Sequence, residues 1–147
     1  MSQEQTKHIA QEFLSRLGAG AEPEEIAKLF SPDLDLDIPG DAGALPWIGR
    51  TTGRGAVVDF ISATRSLLEP LRFDVHDILA SDSRAVILGE LATRVKSSGK
   101  VIESPFAIVL TISGGEITRF LMLEDSFAVS RAARREAPTT PTAKRMT

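Results

Sequence analysis

The 147-residue sequence contains no cysteine and no tyrosine, and it has only two histidines and one tryptophan. Without cysteine the chain cannot form a disulfide, a thiolate nucleophile or an iron–sulfur cluster. The histidines, His8 and His76, have no clustered partners, and no G-x-S-x-G motif accompanies them. A zinc site or a Ser-His-Asp triad is therefore not expected. We predict no metal and no cofactor.

Long hydrophobic runs and an excess of positive charge are also missing. No run of 18 apolar residues occurs, so no membrane span is expected. Residues 1–7 are polar and lack the apolar stretch of a signal peptide, which makes the cytoplasm the expected compartment. The net charge is -3, although five bases follow residue 130. Because the body of the chain is acidic, nucleic acid is not an expected partner.

The order of predicted elements indicates an α+β domain. Ser2 and Gln5 form a capping box that opens a first helix, which Gly18 ends. Pro23 opens a short second helix, and Asp125 caps a terminal helix that ends at residue 133. A third helix is predicted at 56–68, and strands are predicted at 33–39, 71–79, 85–96, 101–112 and 117–123. We therefore predict a cone-shaped, curved, mostly antiparallel sheet with three N-terminal helices on its concave face, as one domain over residues 1–136, followed by a disordered tail at 137–147.

The segment 45–60, LPWIGRTTGRGAVVDF, is predicted to form the mouth of a cavity in this domain. It contains the only tryptophan, Trp47, and three glycines that allow the backbone to turn. Pockets favour aromatic linings with few polar groups. A lone tryptophan is more often part of a packed core, but the loop context with Pro46 and Gly49 favours a ligand contact to the same degree, so both interpretations of Trp47 stay open.

Three strand segments are apolar on both faces: AVIL at 85–88, FAIVL at 106–110 and FLML at 120–123. Helices can cover only the concave face, so the convex face would leave a contiguous apolar patch exposed. We predict that a second copy of the chain covers it, which makes the protein a homodimer. The residues assigned to this convex patch are Val86, Leu88, Ile108, Leu110, Leu121 and Leu123.

The element order, the segment LPWIGRTTGRGAVVDF and the segment ISGGEITRFLMLED resemble a known family. They are similar to the SnoaL-like polyketide-cyclase branch of the superfamily that includes ketosteroid isomerase, limonene-epoxide hydrolase and nuclear transport factor 2. The resemblance covers roughly residues 6–133 and implies the predicted fold. It does not imply one reaction, because this fold hosts isomerases, hydrolases, dehydratases and proteins without enzymatic activity.

The resemblance allows the family's catalytic positions to be matched to this chain. The isomerase Tyr and its two Asp residues match Phe13, Ile38 and Ala107. The Arg and two Asp residues of the epoxide hydrolase match Leu91, Thr93 and Met122, and the polyketide-cyclase Asp also matches Met122. Every inherited acid–base position is therefore apolar or neutral here.

Strand alternation from the matched positions predicts which side chains face the cavity. Glu124 is the single carboxylate among them, and burial would raise its pKa towards the range that suits proton transfer. Glu124 is therefore the candidate catalytic acid or base; the alternative places it in solvent at the open end of its strand. The residues predicted to bind ligand are Phe13, Ile38, Trp47, Phe60, Leu91, Thr93, Ala107, Val109, Phe120 and Met122.

Two functions remain open from the sequence. The first is an enzyme that performs proton transfer, cyclisation or dehydration on a small lipophilic substrate. The second is a non-catalytic module that binds a hydrophobic metabolite in the same cavity. Both predict a homodimer with a small lipophilic ligand, and neither predicts nucleic acid or a membrane as partner.

Overall fold

The computed structural model describes residues 2–134, and the predicted domain end at 136 and the predicted tail lie outside them. Six strands form one sheet in the order β2-β1-β6-β5-β4-β3. Helices α1 and α3 pack against strands of this sheet, and α4 packs against β5. The elements in chain order are α1 (Gln3–Gly18), α2 (Pro23–Ala27), β1 (Phe30–Ile38), β2 (Gly49–Thr52), α3 (Arg54–Leu67), β3 (Leu68–Ala80), β4 (Arg84–Val95), β5 (Val101–Ser113), β6 (Glu116–Glu124) and α4 (Ser126–Ala133).

The predicted helix caps are present. The Gln5 backbone N–H donates to the Ser2 hydroxyl over 3.1 Å, and the Gln5 side chain accepts from the Ser2 backbone N–H over 2.8 Å. At α4 the Ala128 N–H donates to the Asp125 carboxylate over 3.1 Å. These bonds satisfy backbone donors that the first turn of a helix leaves free, so local sequence sets both starts.

The sheet is mostly antiparallel, as predicted. Only the pairing of β1 with β6 is parallel; β2 with β1, β3 with β4, β4 with β5 and β5 with β6 are antiparallel. The α+β prediction, with a curved sheet and helices over one face, is therefore confirmed.

Two boundaries differ from the predictions because proline and glycine allow more than one local structure. Strand β1 begins at Phe30 instead of residue 33, and Pro32 lies where its pairing with β6 is irregular. Residues 49–52, predicted as part of the cavity mouth, form the short edge strand β2. Gly53 then adopts a φ of 93°, and its N–H donates to the Leu34 carbonyl over 2.8 Å. This positive φ favours glycine and lets α3 begin directly after β2.

Cross-strand pairing shows that the predicted orientation of β5 is wrong by one residue. Ile108 pairs with Ile87 and Met122 on the inner face, and it is 3% exposed. Leu110 is fully buried on the same face, whereas Val109 lies on the outer face. Because FAIVL is apolar at every position, alternation could not identify the inner side; only the register with β4 and β6 does so.

Residues 2–134 contain no helix that is long and apolar enough to cross a membrane. Over the same residues, no group of three or more His, Asp and Glu side chains is placed so that it could hold a metal ion.

Candidate functional site

A cavity of about 430 Å³ lies between the inner face of the sheet and helices α1 and α3. Eight residues predicted from the sequence line it. Helix α1 contributes Phe13, the loop before β2 contributes Trp47, and α3 contributes Phe60. The sheet contributes Leu91, Thr93, Phe120, Met122 and Glu124.

Aromatic rings form a connected wall at one end of this cavity. The rings of Trp47 and Phe60 meet edge to face with centroids 6.1 Å apart, and those of Phe60 and Phe120 do so at 5.9 Å. Phe13 meets Phe120 at 5.8 Å in the same manner. Edge-to-face pairs of this separation are favourable and orient each ring against the next. The wall is therefore an ordered surface that lies against the cavity.

The opposite end of the cavity opens at the ends of α1 and α3. Gly18, Arg65 and Arg72 line it there, and all three are exposed. The Arg65 guanidinium donates to the Ala21 carbonyl over 2.6 Å, which holds the arginine against the loop after α1. The Arg72 guanidinium lies 3.4 Å from the Asp74 carboxylate, and that pair is also exposed. Arg65 thus has a partner at the entrance, whereas Arg72 pairs with Asp74 on the outer face of the sheet, where Asp74 lies opposite Glu90.

Glu124 occupies the last position of β6, on the inner face of the sheet. It pairs across the strands with Phe106, which is 4% exposed. Burial raises the pKa of the Glu124 carboxyl to about 7. Within residues 2–134 no group donates a hydrogen bond to this carboxyl and no cation pairs with it. The carboxyl therefore exchanges its proton near neutral pH.

The surroundings of Glu124 explain this shift. The Phe106 ring lies over Gly89, where an added Cβ would collide with that ring and with the Asp74 carbonyl. Phe106 in turn stacks on Phe73, with centroids 4.8 Å apart and planes 15° apart. The neighbours of Glu124 on the sheet are thus hydrocarbon, which disfavours the charged form of a carboxyl.

Three of the predicted ligand-binding residues do not line the cavity. Ile38 is on the inner face of the sheet, but it is buried in the hydrophobic core (1% exposed) and does not line the cavity. Ala107 and Val109 lie on the outer face, where they pair with Leu123 and Leu121. The predicted inward orientation of Ala107 and Val109 is therefore wrong, for the register reason described above.

Several lining residues were missed from the sequence. Ile102 and Ile108 replace Ala107 and Val109 on the β5 side of the cavity, and Phe73, Leu45 and Val129 are among the other lining residues. Ile102 and Ile108 belong to the alternating set of β5 residues that the sequence analysis assigned to the outer face. Assigning that set to the inner face would have identified both residues. Leu45 and Val129 come from a loop and from α4, whose positions over the sheet no local pattern predicts.

The chain matches the model of the SnoaL-like domain over residues 10–120. That match spans most of the chain. The protein belongs to the SnoaL-like family. The resemblance seen in the sequence is thereby confirmed. In this SnoaL-like protein the cavity lies between the inner face of the sheet and helices α1 and α3.

Solved structures with the same fold include proteins from several bacteria. A nuclear transport factor 2-like protein from Burkholderia xenovorans LB400 is 22% identical over 91% of this chain and 99% of its own, with a TM-score of 0.82. A nuclear transport factor 2-like protein of unknown function from Burkholderia pseudomallei is 19% identical over 92% of this chain and 100% of its own, with a TM-score of 0.79. At these identities the likeness establishes the fold alone.

A third structure holds a small molecule. The protein from Catenulispora acidiphila has a ketosteroid isomerase-like fold and was solved in complex with trimethylamine. It is 18% identical over 85% of this chain and 91% of its own, with a TM-score of 0.68. Comparison with curated proteins found no match to the SnoaL-like chain.

Proposed function

We propose that this SnoaL-like protein binds one small, lipophilic molecule in the cavity between the sheet and helices α1 and α3. The observation that carries the proposal is a cavity of about 430 Å³ whose lining, among residues 2–134, is mostly apolar and includes one carboxyl, that of Glu124. Ligand sites in proteins are typically apolar clefts of about 300–1,000 Å³ with a few polar groups that orient the ligand. Glu124 is the polar group in this arrangement.

Proton transfer by Glu124 is the second candidate function. It is supported by the pKa of about 7, since a general acid or base works best when its pKa lies near the working pH. The family positions matched to Leu91, Thr93 and Met122 line the same cavity but carry no ionisable group. Glu124 would therefore act without a second acid or base, and we favour binding as the common function.

We further propose that the protein is a homodimer through the outer face of the sheet. The centre of this face is apolar, and two ion pairs lie at its border: Arg94 with Glu69 over 3.2 Å, and Arg119 with Asp37 over 3.2 Å. A second copy could pack on the centre without leaving these charges unpaired, in the self-complementary manner of a two-fold interface. The apolar centre consists of Val86, Leu88, Ala107, Val109, Leu121 and Leu123.

The binding proposal is tested by the fluorescence of Trp47. Because the chain has one Trp and no Tyr, its emission reports this half-buried ring alone. Titration with a panel of steroids, terpenoids and polyketide-like aromatics is expected to shift the emission to the blue and to saturate, in parallel with the heat of binding measured by calorimetry.

Met122→Glu should weaken binding at least about 10-fold, because it places an uncompensated charge on the cavity wall. Phe127→Glu is the matched control, since Phe127 is 69% exposed and does not line the cavity. For the neutral panel compounds, binding that survives Met122→Glu unchanged would refute the proposal, and so would the absence of any saturable ligand, neutral or cationic.

A further inference from the structure

The Glu124 carboxyl has no hydrogen-bond donor and no cation as a partner among residues 2–134. A carboxyl shielded from water normally finds a hydrogen-bond donor or a cation, because burial without one is costly. Among residues 2–134, Glu124 has neither, although it faces the cavity from the end of β6 with the buried Phe106 directly across from it. Because the carboxyl lines the cavity, a ligand that enters the cavity can supply that partner.

The aromatic rings around the cavity indicate which kind of ligand group would lie against Glu124. Phe73, which stacks on Phe106 and is 43% exposed, lines the cavity from β3, and Trp47 and Phe60 line it from the opposite side, where α3 packs. Aromatic faces attract cations, and a desolvated site strengthens the attraction. A carboxylate together with several aromatic rings is a combination suited to an ammonium group.

The other charged groups on the cavity do not compete for Glu124. Arg65 from α3 and Arg72 from β3 are the only other charged lining residues within the described part of the chain. Both are exposed: the Ala21 and Leu17 carbonyls hold Arg65 at the entrance, and Asp74 and Glu90 hold the Arg72 guanidinium on the outer face of the sheet. No charged side chain from α1, β4, β5 or α4 lines the cavity.

We propose that the ligand of this cavity is a small lipophilic amine, bound with its ammonium group against the Glu124 carboxylate and its hydrocarbon part against the aromatic wall. This inference rests on the proposed binding function and names the chemical class of the ligand. It requires Glu124 to be ionised in the complex, so the ligand must displace the proton that the free carboxyl holds at lower pH.

The number of protons taken up or released on binding distinguishes an ammonium ligand from a neutral ligand. A neutral ligand that accepts a hydrogen bond from Glu124 needs the protonated carboxyl, so its binding takes up a proton above pH 7. An ammonium ligand needs the carboxylate, so its binding releases a proton below pH 7. The two ligand classes thus predict opposite signs of proton transfer and opposite pH dependences of affinity.

The test uses two probes of the same shape, benzyltrimethylammonium and neopentylbenzene. The first carries a permanent charge and cannot titrate, so every proton exchanged comes from the protein. Calorimetry in buffers of different ionisation enthalpy should show release of about one proton per benzyltrimethylammonium bound at pH 5.5 and close to none at pH 8.5. Affinity should rise about 30-fold between these values, because a carboxyl with a pKa of about 7 is only about 3% ionised at pH 5.5.

Variants complete the test. Glu124→Gln should weaken binding of benzyltrimethylammonium about 30-fold or more at pH 8.5 and should abolish its pH dependence, while changing neopentylbenzene less than about 3-fold. Glu24→Gln removes the same charge from the exposed surface of α2 and should change neither probe. Thermal unfolding at each pH confirms that both variants are folded.

The outcomes distinguish the amine inference from the binding proposal. If neopentylbenzene or a neutral member of the lipophile panel binds and shifts Trp47 emission, but benzyltrimethylammonium does not bind, the amine inference fails and the binding proposal stands. Equal affinity of the cation for wild type and Glu124→Gln also overturns the inference. If no probe and no panel compound binds, both fail.

Discussion

The inner and outer faces of the sheet are formed by the same strands and are apolar at their centres, yet they have different roles. On the inner face, Ile108 and Leu110 pack under the helices and are almost fully buried. On the outer face, Leu123 is 44% exposed and Val109 is partly exposed. The two faces therefore differ in what covers them and not in residue type: helices pack on the inner face, whereas no helix of residues 2–134 covers the apolar centre of the outer face.

The same comparison applies to the two glutamates at the ends of β6. Glu116 pairs with Arg54 over 3.0 Å, and both side chains are more than 40% exposed. Glu124 faces the cavity and has a pKa raised by burial to about 7. Identical side chains on one strand thus differ in chemistry because Glu124 lies against the apolar cavity, whereas Glu116 pairs with an exposed arginine.

The largest effect is expected when a charge is placed on the inner face of β5 instead of its outer face. Leu110→Arg should destabilise the fold by about 4 kcal/mol, because it buries an unpaired charge. Chemical denaturation measures the loss, and a variant that fails to express in folded form counts as agreement. Val109→Arg, one residue earlier, should fold with nearly wild-type stability per subunit. If Leu110→Arg folds normally and Val109→Arg does not, the assignment of the two faces is reversed.

The next effect is a pH dependence of stability that belongs to Glu124. Its folded pKa of about 7 lies above its usual value of 4.5, so the neutral form stabilises the fold below pH 4.5. That stabilisation falls as the pH rises towards 7, by at most about 3 kcal/mol at about 1.4 kcal/mol for each pKa unit.

Glu124→Gln keeps the side chain neutral, so it should match wild type near pH 4.5 and be more stable at pH 8. Denaturation of both proteins at the two pH values measures this difference. A difference that stays constant with pH would mean that Glu124 titrates as a solvated carboxyl.

A third prediction concerns the outer face. Val109→Arg should raise the dissociation constant of the homodimer about 30-fold or more, because it places a charge against the apolar centre of the other copy. Light scattering at micromolar concentration should give twice 15.8 kDa for wild type and a mass near 15.8 kDa for the variant. A monomeric wild-type protein under these conditions would contradict the dimer proposal.

The smallest effect is expected at Glu116. Glu116→Gln should change the free energy of unfolding by less than about 1 kcal/mol, since exposed ion pairs contribute little. The change should vary little between pH 5 and pH 8, in contrast to Glu124→Gln. A pH-dependent loss as large as that predicted for Glu124 would mean that the end of β6 bearing Glu116 is also shielded from water.

The candidate site was predicted in part. Phe13, Trp47, Phe60, Phe120, Met122 and Glu124 line the cavity, because helix periodicity and the matched family segments placed them correctly. Ala107 and Val109 were assigned to the wrong face, since an apolar run has no polar residue to mark its outer side. Leu45, Phe73 and Val129 were missed because their contributions depend on how a loop, an edge strand and α4 lie over the sheet.

The sequence by itself determined the elements, their order and the family. Caps at Ser2 and Asp125, the positions of the glycines and the apolar periods are local signals, and local signals act before the chain is folded. The tertiary structure alone decided the register of β5, the absence of a partner for Glu124 among residues 2–134 and the raised pKa of its carboxyl. These depend on which strands and helices meet, and burial is a property of the assembled layers rather than of any residue in them.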